Sequence, residues 1–248
     1  MRIDRFIAVL LMAGLLQACV AVNPQQSKNA KASAINVQLG IGYLQQNKLE
    51  LASEKLSKAI AQNPDSAAAH NAYAILQDRL KQNELAEFHY RKATSLDPKD
   101  SQAANNYGAF LCRNGRELES EKYFLLALDN PLYNTPEYAY TNAAICLIKA
   151  GKTDAGKEYL RKALTAKSDF SPALLSMAEL LFEEGEHAQT KIYLDRFHLV
   201  ARATAKSLWL SIRNELQLDS SANVEEFALR LEKDFFDSPE YQAWLKIQ

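Results

Sequence analysis

Four histidines, three cysteines and one Gly-Lys-Thr triplet are the groups in this 248-residue chain that could carry chemistry if their spacing fitted. A zinc-holding helix needs two histidines about a turn apart. His70, His89, His187 and His198 show no such spacing, and each is read as a lone surface or groove side chain. Gly151-Lys152-Thr153 imitates the end of a phosphate-binding loop. That loop would need a glycine where Cys146 stands, and a strand where the preceding residues favour helix. Nucleophile elbows, dinucleotide fingerprints and catalytic-cysteine patterns do not appear. The expectation is therefore a protein that is not an enzyme, with no catalytic, cofactor-binding or metal-binding residues and no small-molecule substrate.

The remaining candidates are groups that attach or bind. Arg2 and Arg5 precede an apolar run at residues 6–16, too short for the ~30 Å core of a bilayer but right for a secretory signal. The run ends in Leu16-Gln17-Ala18-Cys19, which resembles the lipobox of bacterial lipoproteins. The expected organisation is a signal peptide over residues 1–18 and an acylated Cys19 followed by a flexible tether to residue 32. Acyl chains contribute ~0.8 kcal/mol per buried methylene, so two or three hold a domain on a membrane. Val20, standing where a retention aspartate would be, implies the outer membrane, with the protein facing the periplasm.

The elements that position everything else come from a repeat. Leu39-Gly40, Tyr43, Ala52, Leu56, Ala59 and Pro64 match the tetratricopeptide pattern, and four further copies follow with decreasing fidelity. The small residues Gly40, Ala74, Gly108, Ala144 and Ala178 are separated by 34, 34, 36 and 34 residues. Each lets a second helix cross the first at short range, and bulky residues fill the space between. With only 8 glycines and 7 prolines, the composition favours helix. The fold class is all-α, a tetratricopeptide-repeat solenoid of about six helix pairs in a right-handed superhelix. Repeats fall at residues 33–66, 67–100, 101–136, 137–170 and 171–204. Residues 205–246 form a degenerate cap, in which Ser211 is taken as the small residue and the second helix is out of spacing. Trp209, Phe235, Phe236, Tyr241 and Trp244 are read as cap packing.

Repeat phase then places the candidates. Cys112 and Cys146 lie near the ends of two stacked first helices, at phases twelve and ten, and can form a disulfide in an oxidising compartment or remain two buried thiols. Asn71 and Asn105 hold the fifth position and Asn106 and Asn142 the sixth, on the helices that line the groove. Such amides can donate to and accept from the backbone of an extended peptide. Arg79, Arg113 and Lys149 form a row at position thirteen, either lining the groove or suiting the dipole of a helix end. The extra two residues between repeats three and four bring Tyr133, Tyr138 and Tyr140 together, as a binding patch or as packing between repeats. The formal net charge of −1 advertises no nucleic-acid partner.

The strings NNYGAFLC (residues 105–112) and NPLYNTPEYAYTNAAIC (residues 130–146), the lipobox start and the ending DSPEYQAW (residues 237–244) resemble the PilF/PilW type IV pilus biogenesis and stability lipoproteins. Gln17 and Ala143-Ala144 depart from that family's usual pattern. The resemblance implies an outer-membrane pilotin that binds secretin subunits and helps them reach the outer membrane and multimerise. The competing reading is a scaffold for another envelope system, such as β-barrel assembly or cell-wall enzymes.

Overall fold

The computed structural model describes residues 24–247, so Cys19 and the signal segment lie outside the described residues. Thirteen helices follow one another, with no strand among the described residues. The first three pairs are α1 (Pro24–Gln45) with α2 (Leu49–Gln62), α3 (Ala67–Arg79) with α4 (Asn83–Leu96), and α5 (Ser101–Arg113) with α6 (Glu117–Leu128). Then come α7 (Pro136–Lys149) with α8 (Thr153–Ala166), α9 (Ser171–Glu183) with α10 (His187–Val200), and α11 (Ala205–Gln217) with α12 (Ser221–Phe235). A short α13 (Pro239–Leu245) lies across α11 and α12. The architecture is the tetratricopeptide-repeat solenoid: each helix packs on its partner and on the next pair, and no contact skips further along the stack.

Local sequence sets where the helices start. Ser66, Asp100, Thr204 and Ser238 each accept a hydrogen bond from the backbone N–H three residues on, satisfying donors a helix start leaves open. The turn inside each pair needs one residue with a left-handed backbone. Gly115, Gly151 and Gly185 supply it, but Asn47, Lys81 and Asp219 take the same conformation without glycine's freedom. These six residues are spaced by 34, 34, 36, 34 and 34, so the sixth pair is in phase with the other five.

That phase corrects the reading of the cap. The residue 34 after Ala178 is Ile212, not Ser211, and Ile212 is fully buried. On the second helix, Val224 and Leu231 fall where most repeats carry Ala or another small residue, and Ala228 falls where Leu56, Tyr90, Phe124, Leu160 and Leu194 stand. Sizes are exchanged. A β-carbon placed on Gly40 would come within 2.5 Å of Leu56, and one on Gly108 within 2.8 Å of Phe124. In the cap the large Ile212 shares a core cluster with the small Ala228, so the volume is conserved with the roles reversed. Leu208, Trp209, Phe235, Tyr241 and Trp244 complete that cluster, while Phe236 points out, 66% exposed.

The tether is shorter than expected, because α1 begins at Pro24 and residues 24–32 are helical. Nothing in that stretch after the proline breaks a helix, and the next turn of α1 is tied down: Ser33 Oγ donates to the Ala59 carbonyl at 2.8 Å and Asn36 donates to Gln62 at 2.8 Å.

The histidines are not lone side chains. His70 and His89, both in repeat two, are buried with Nδ1 atoms 2.7 Å apart and rings stacked at 5.0 Å. His70 Nε2 lies 2.9 Å from the Pro64 carbonyl, so it donates there. In that tautomer its Nδ1 can accept from His89 Nδ1–H. Burial chiefly, with the electrostatic effect of the adjacent His70 ring second, pushes His89 down to about 4. His187 and His198 tie α10 to α11 through Asn214 and Ser211.

Candidate functional site

The amides predicted to line the groove are paired with each other across the repeats. Asn106 donates to Asn71 Oδ1 at 3.1 Å, and Asn142 donates to Asn105 Oδ1 at 3.0 Å. Asn71 and Asn105, at the fifth position, are buried in the seam between first helices. Asn106 and Asn142, one residue later, are half-buried, and Asn106 borders the cavity between α3 and α5. A Gln102 donor already occupies Asn106 Oδ1 at 3.1 Å. The structure therefore brings the four together but spends much of their hydrogen-bonding capacity on joining repeats two, three and four.

The cationic row is used the same way. Arg79 donates to the Leu44 carbonyl at 2.6 Å, Arg113 pairs with Asp78, and Lys149 donates to the Cys112 carbonyl at 2.9 Å. Leu44, Asp78 and Cys112 are themselves 34 residues apart, so each cation reaches back to the same point on the preceding first helix. Two of the three add a second, charged donor to carbonyls in the last turn of the neighbouring helix, which also accept from the Asn47 and Gly115 N–H groups. Lys149 also meets Glu117 at 2.9 Å. The Arg113 and Lys149 side chains keep 56% and 49% of their surface exposed, so a ligand could still reach them.

Cys112 and Cys146 form a disulfide, with Cα atoms 5.8 Å apart, that ties α5 to α7. Both sulfurs are buried beside Phe124 and Ala143, and Ser120 Oγ is 3.0 Å from Cys146 Sγ. The three tyrosines of the insert separate. Tyr133 packs under the loop against Ala104, Ala127 and Ala139. Tyr140 packs between repeats four and five. Tyr138 remains 48% exposed, its ring edge-on to Phe170 at 4.6 Å.

Counting amides and cations missed the apolar component of this face. Ile41, Ile75, Ala109 and Ile145 each follow the small anchor residue of their repeat. Ile75 and Ala109, with Asn106 and Arg113, line a cavity of about 390 Å³ between α3 and α5. Ile145 is 46% exposed and, with Ile148, Leu180 and Trp209, lines a wider groove of about 760 Å³ across α7, α9 and α11. The signal was available: an apolar residue that recurs one place after the buried anchor points about 100° away from it, onto the groove face. A first-helix face of this kind, apolar in strips and edged by amides and charges, suits capture of a polypeptide segment. Among the described residues no three His, Cys, Asp or Glu side chains group as metal ligands.

The fold is a tetratricopeptide-repeat solenoid, a scaffold family known for protein interaction. Tetratricopeptide-repeat family patterns match residues 37–101, 89–122 and 137–170. The chain is 32% identical over 241 residues to the type IV pilus assembly protein PilF of Pseudomonas aeruginosa, covering 95% of this chain and 96% of that protein. The solved structure of P. aeruginosa PilF matches with a TM-score of 0.77 at 31% identity, covering 89% of this chain and all of that one. The crystal structure of PilW, a widely conserved type IV pilus biogenesis factor, also gives 0.77 at 30% identity, covering 86% and 98%. The chain belongs to the PilF/PilW family of tetratricopeptide-repeat proteins associated with type IV pilus biogenesis.

Proposed function

We propose that this protein is an outer-membrane lipoprotein that binds the secretin of the type IV pilus and promotes its localisation and multimerisation. The observation that supports this most is family membership along almost the whole chain, which extends over every repeat rather than over a shared module. The first-helix face supplies what such binding needs: an apolar row at Ile75, Ala109 and Ile145 beside the half-buried amides of Asn106 and Asn142. Acylation of Cys19 would place this face at the periplasmic side of the membrane. None of the described helices is long and apolar enough to cross a membrane itself. The mechanism is steric: the lipid localises the solenoid, the groove engages a secretin segment, and subunits assemble where they can insert.

Deletion of the gene, followed by a gel for heat-resistant secretin multimers and a twitching assay, tests the proposal. Loss of multimers, restored by the wild-type gene but not by Cys19→Ala, is the expected result. Normal multimers and normal twitching in the deletion strain would refute it. Capture of β-barrel assembly components or cell-wall enzymes in place of the secretin would shift the reading to another envelope scaffold.

A further inference from the structure

The far end of the solenoid has a different chemistry from the groove. Where α13 lies across α11 and α12, it leaves an open cavity of about 720 Å³. Its apolar wall includes Leu216, Leu229 and Leu245, which are 42%, 58% and 46% exposed, together with Trp244. No described helix covers this wall, although the cap of a solenoid ordinarily turns a polar face to water. Here apolar side chains are left open instead, the kind of patch that marks an interaction site.

The charges around that wall have one sign. Glu215, Asp219, Glu225 and Glu232 are the charged residues lining the cavity, and no cation lines it. Lys191, reaching over from α10, neutralises Glu215 at 2.6 Å. Burial alone would raise the Glu215 carboxyl, but the hydrogen bonds from Lys191 and Asn223 hold it below its ordinary value. Asp219 and Glu225 have no ion-pair partner among the described residues, and Glu232 is engaged by the Tyr241 hydroxyl. Asp219 is held at the cavity mouth by the left-handed turn between α11 and α12.

We propose that this acidic, apolar end is a second docking site, which takes a cationic amphipathic segment of a partner protein. Leucine-like side chains on one face of the segment would cover Leu229, Leu245 and Trp244. Flanking Lys or Arg side chains would meet Glu225 and Asp219, the complementarity that steers a partner and fixes its register. The site is separate from the first-helix groove, so it stands or falls independently of secretin binding there.

Isothermal titration of the full chain with a designed helical peptide tests this. The peptide carries leucines at i, i+3, i+4 and i+7 with lysines flanking them, and a matched peptide carries glutamates in place of the lysines. Saturable binding of the lysine peptide, weakened at least tenfold by Glu225→Lys and by Leu229→Ser, is expected. Both substituted side chains are exposed, so helix content and melting temperature should be unchanged. Asn106→Ala in the other groove should leave the affinity as it is. Equal binding of the two peptides, or binding indifferent to Glu225→Lys, would overturn the proposal. Concentration-dependent self-association abolished by Glu225→Lys would also overturn it, because α1 of a second copy, with Lys28, Lys31, Ile35 and Leu39 exposed, would then be the occupant.

Discussion

Opening the Cys112–Cys146 bridge perturbs the middle of the stack without touching either end. The bridge closes a separation of 34 residues. Removing that constraint from the unfolded chain costs folding about 3.8 kcal/mol in the loop-entropy relation. The folded state should change little, since Cys112 and Cys146 are 6% and 3% exposed and two thiols fit where the bridge was. Reduction should therefore act mainly on the unfolded ensemble. Urea unfolding followed by circular dichroism, with and without reductant, reads the difference. With a slope of about 2–3 kcal/mol/M, the midpoint should fall by roughly 1–2 M. Superimposable curves, or two titratable thiols from these positions in the denatured, unreduced protein, would refute the reasoning.

Other perturbations separate packing from polar effects. Gly108→Val drives a side chain into Phe124, where a β-carbon alone meets the ring at 2.8 Å, and should cost about 1–3 kcal/mol by thermal melting. Gly42→Ala, with nothing within 4 Å, should instead be neutral or stabilise by up to about 1 kcal/mol. The depressed value of His89 means that the unfolded chain binds the proton more readily. Its contribution to stability is fully present above pH ~6.5, its ordinary value, and is lost as pH falls through about 4. Stability measured across that window should lose part of its slope in His89→Gln. Lys191→Ala leaves Glu215, 3% exposed, without its cation, and should destabilise the cap by about 1–3 kcal/mol, read as an earlier transition of Trp fluorescence.

The period and helical class were legible because small residues must recur wherever two helices cross closely. Gly40 against Leu56 and Gly108 against Phe124 show the contact that forces the pattern. The same logic misled at the cap, where Ile212 and Ala228 exchange sizes. A search for a small residue at a fixed place slips to Ser211, whereas total volume across the pair stays in phase. The turn residue would have kept the register, but only three of the six are glycines, and Lys81 carries no sign that it adopts a left-handed backbone. The groove was partly legible. Recurrence located Asn71, Asn105, Asn106 and Asn142 on one face, but a periodic amide can serve the neighbouring repeat as readily as a ligand. Which of these it does depends on a position shift of one residue, and so on helix rotation that spacing alone does not carry. The His70–His89 contact joins two helices 19 residues apart in a way no helical spacing announces.

Secretin binding by the first-helix face is the central claim, and a direct titration of the full-length protein with monomeric secretin tests it most directly. Wild-type protein should bind saturably. Ile145→Glu, a change at an exposed groove position, should weaken binding at least tenfold while the helix content and melting temperature hold. Absence of binding by the wild-type chain, or undiminished binding by Ile145→Glu together with Ile75→Glu, would contradict the account.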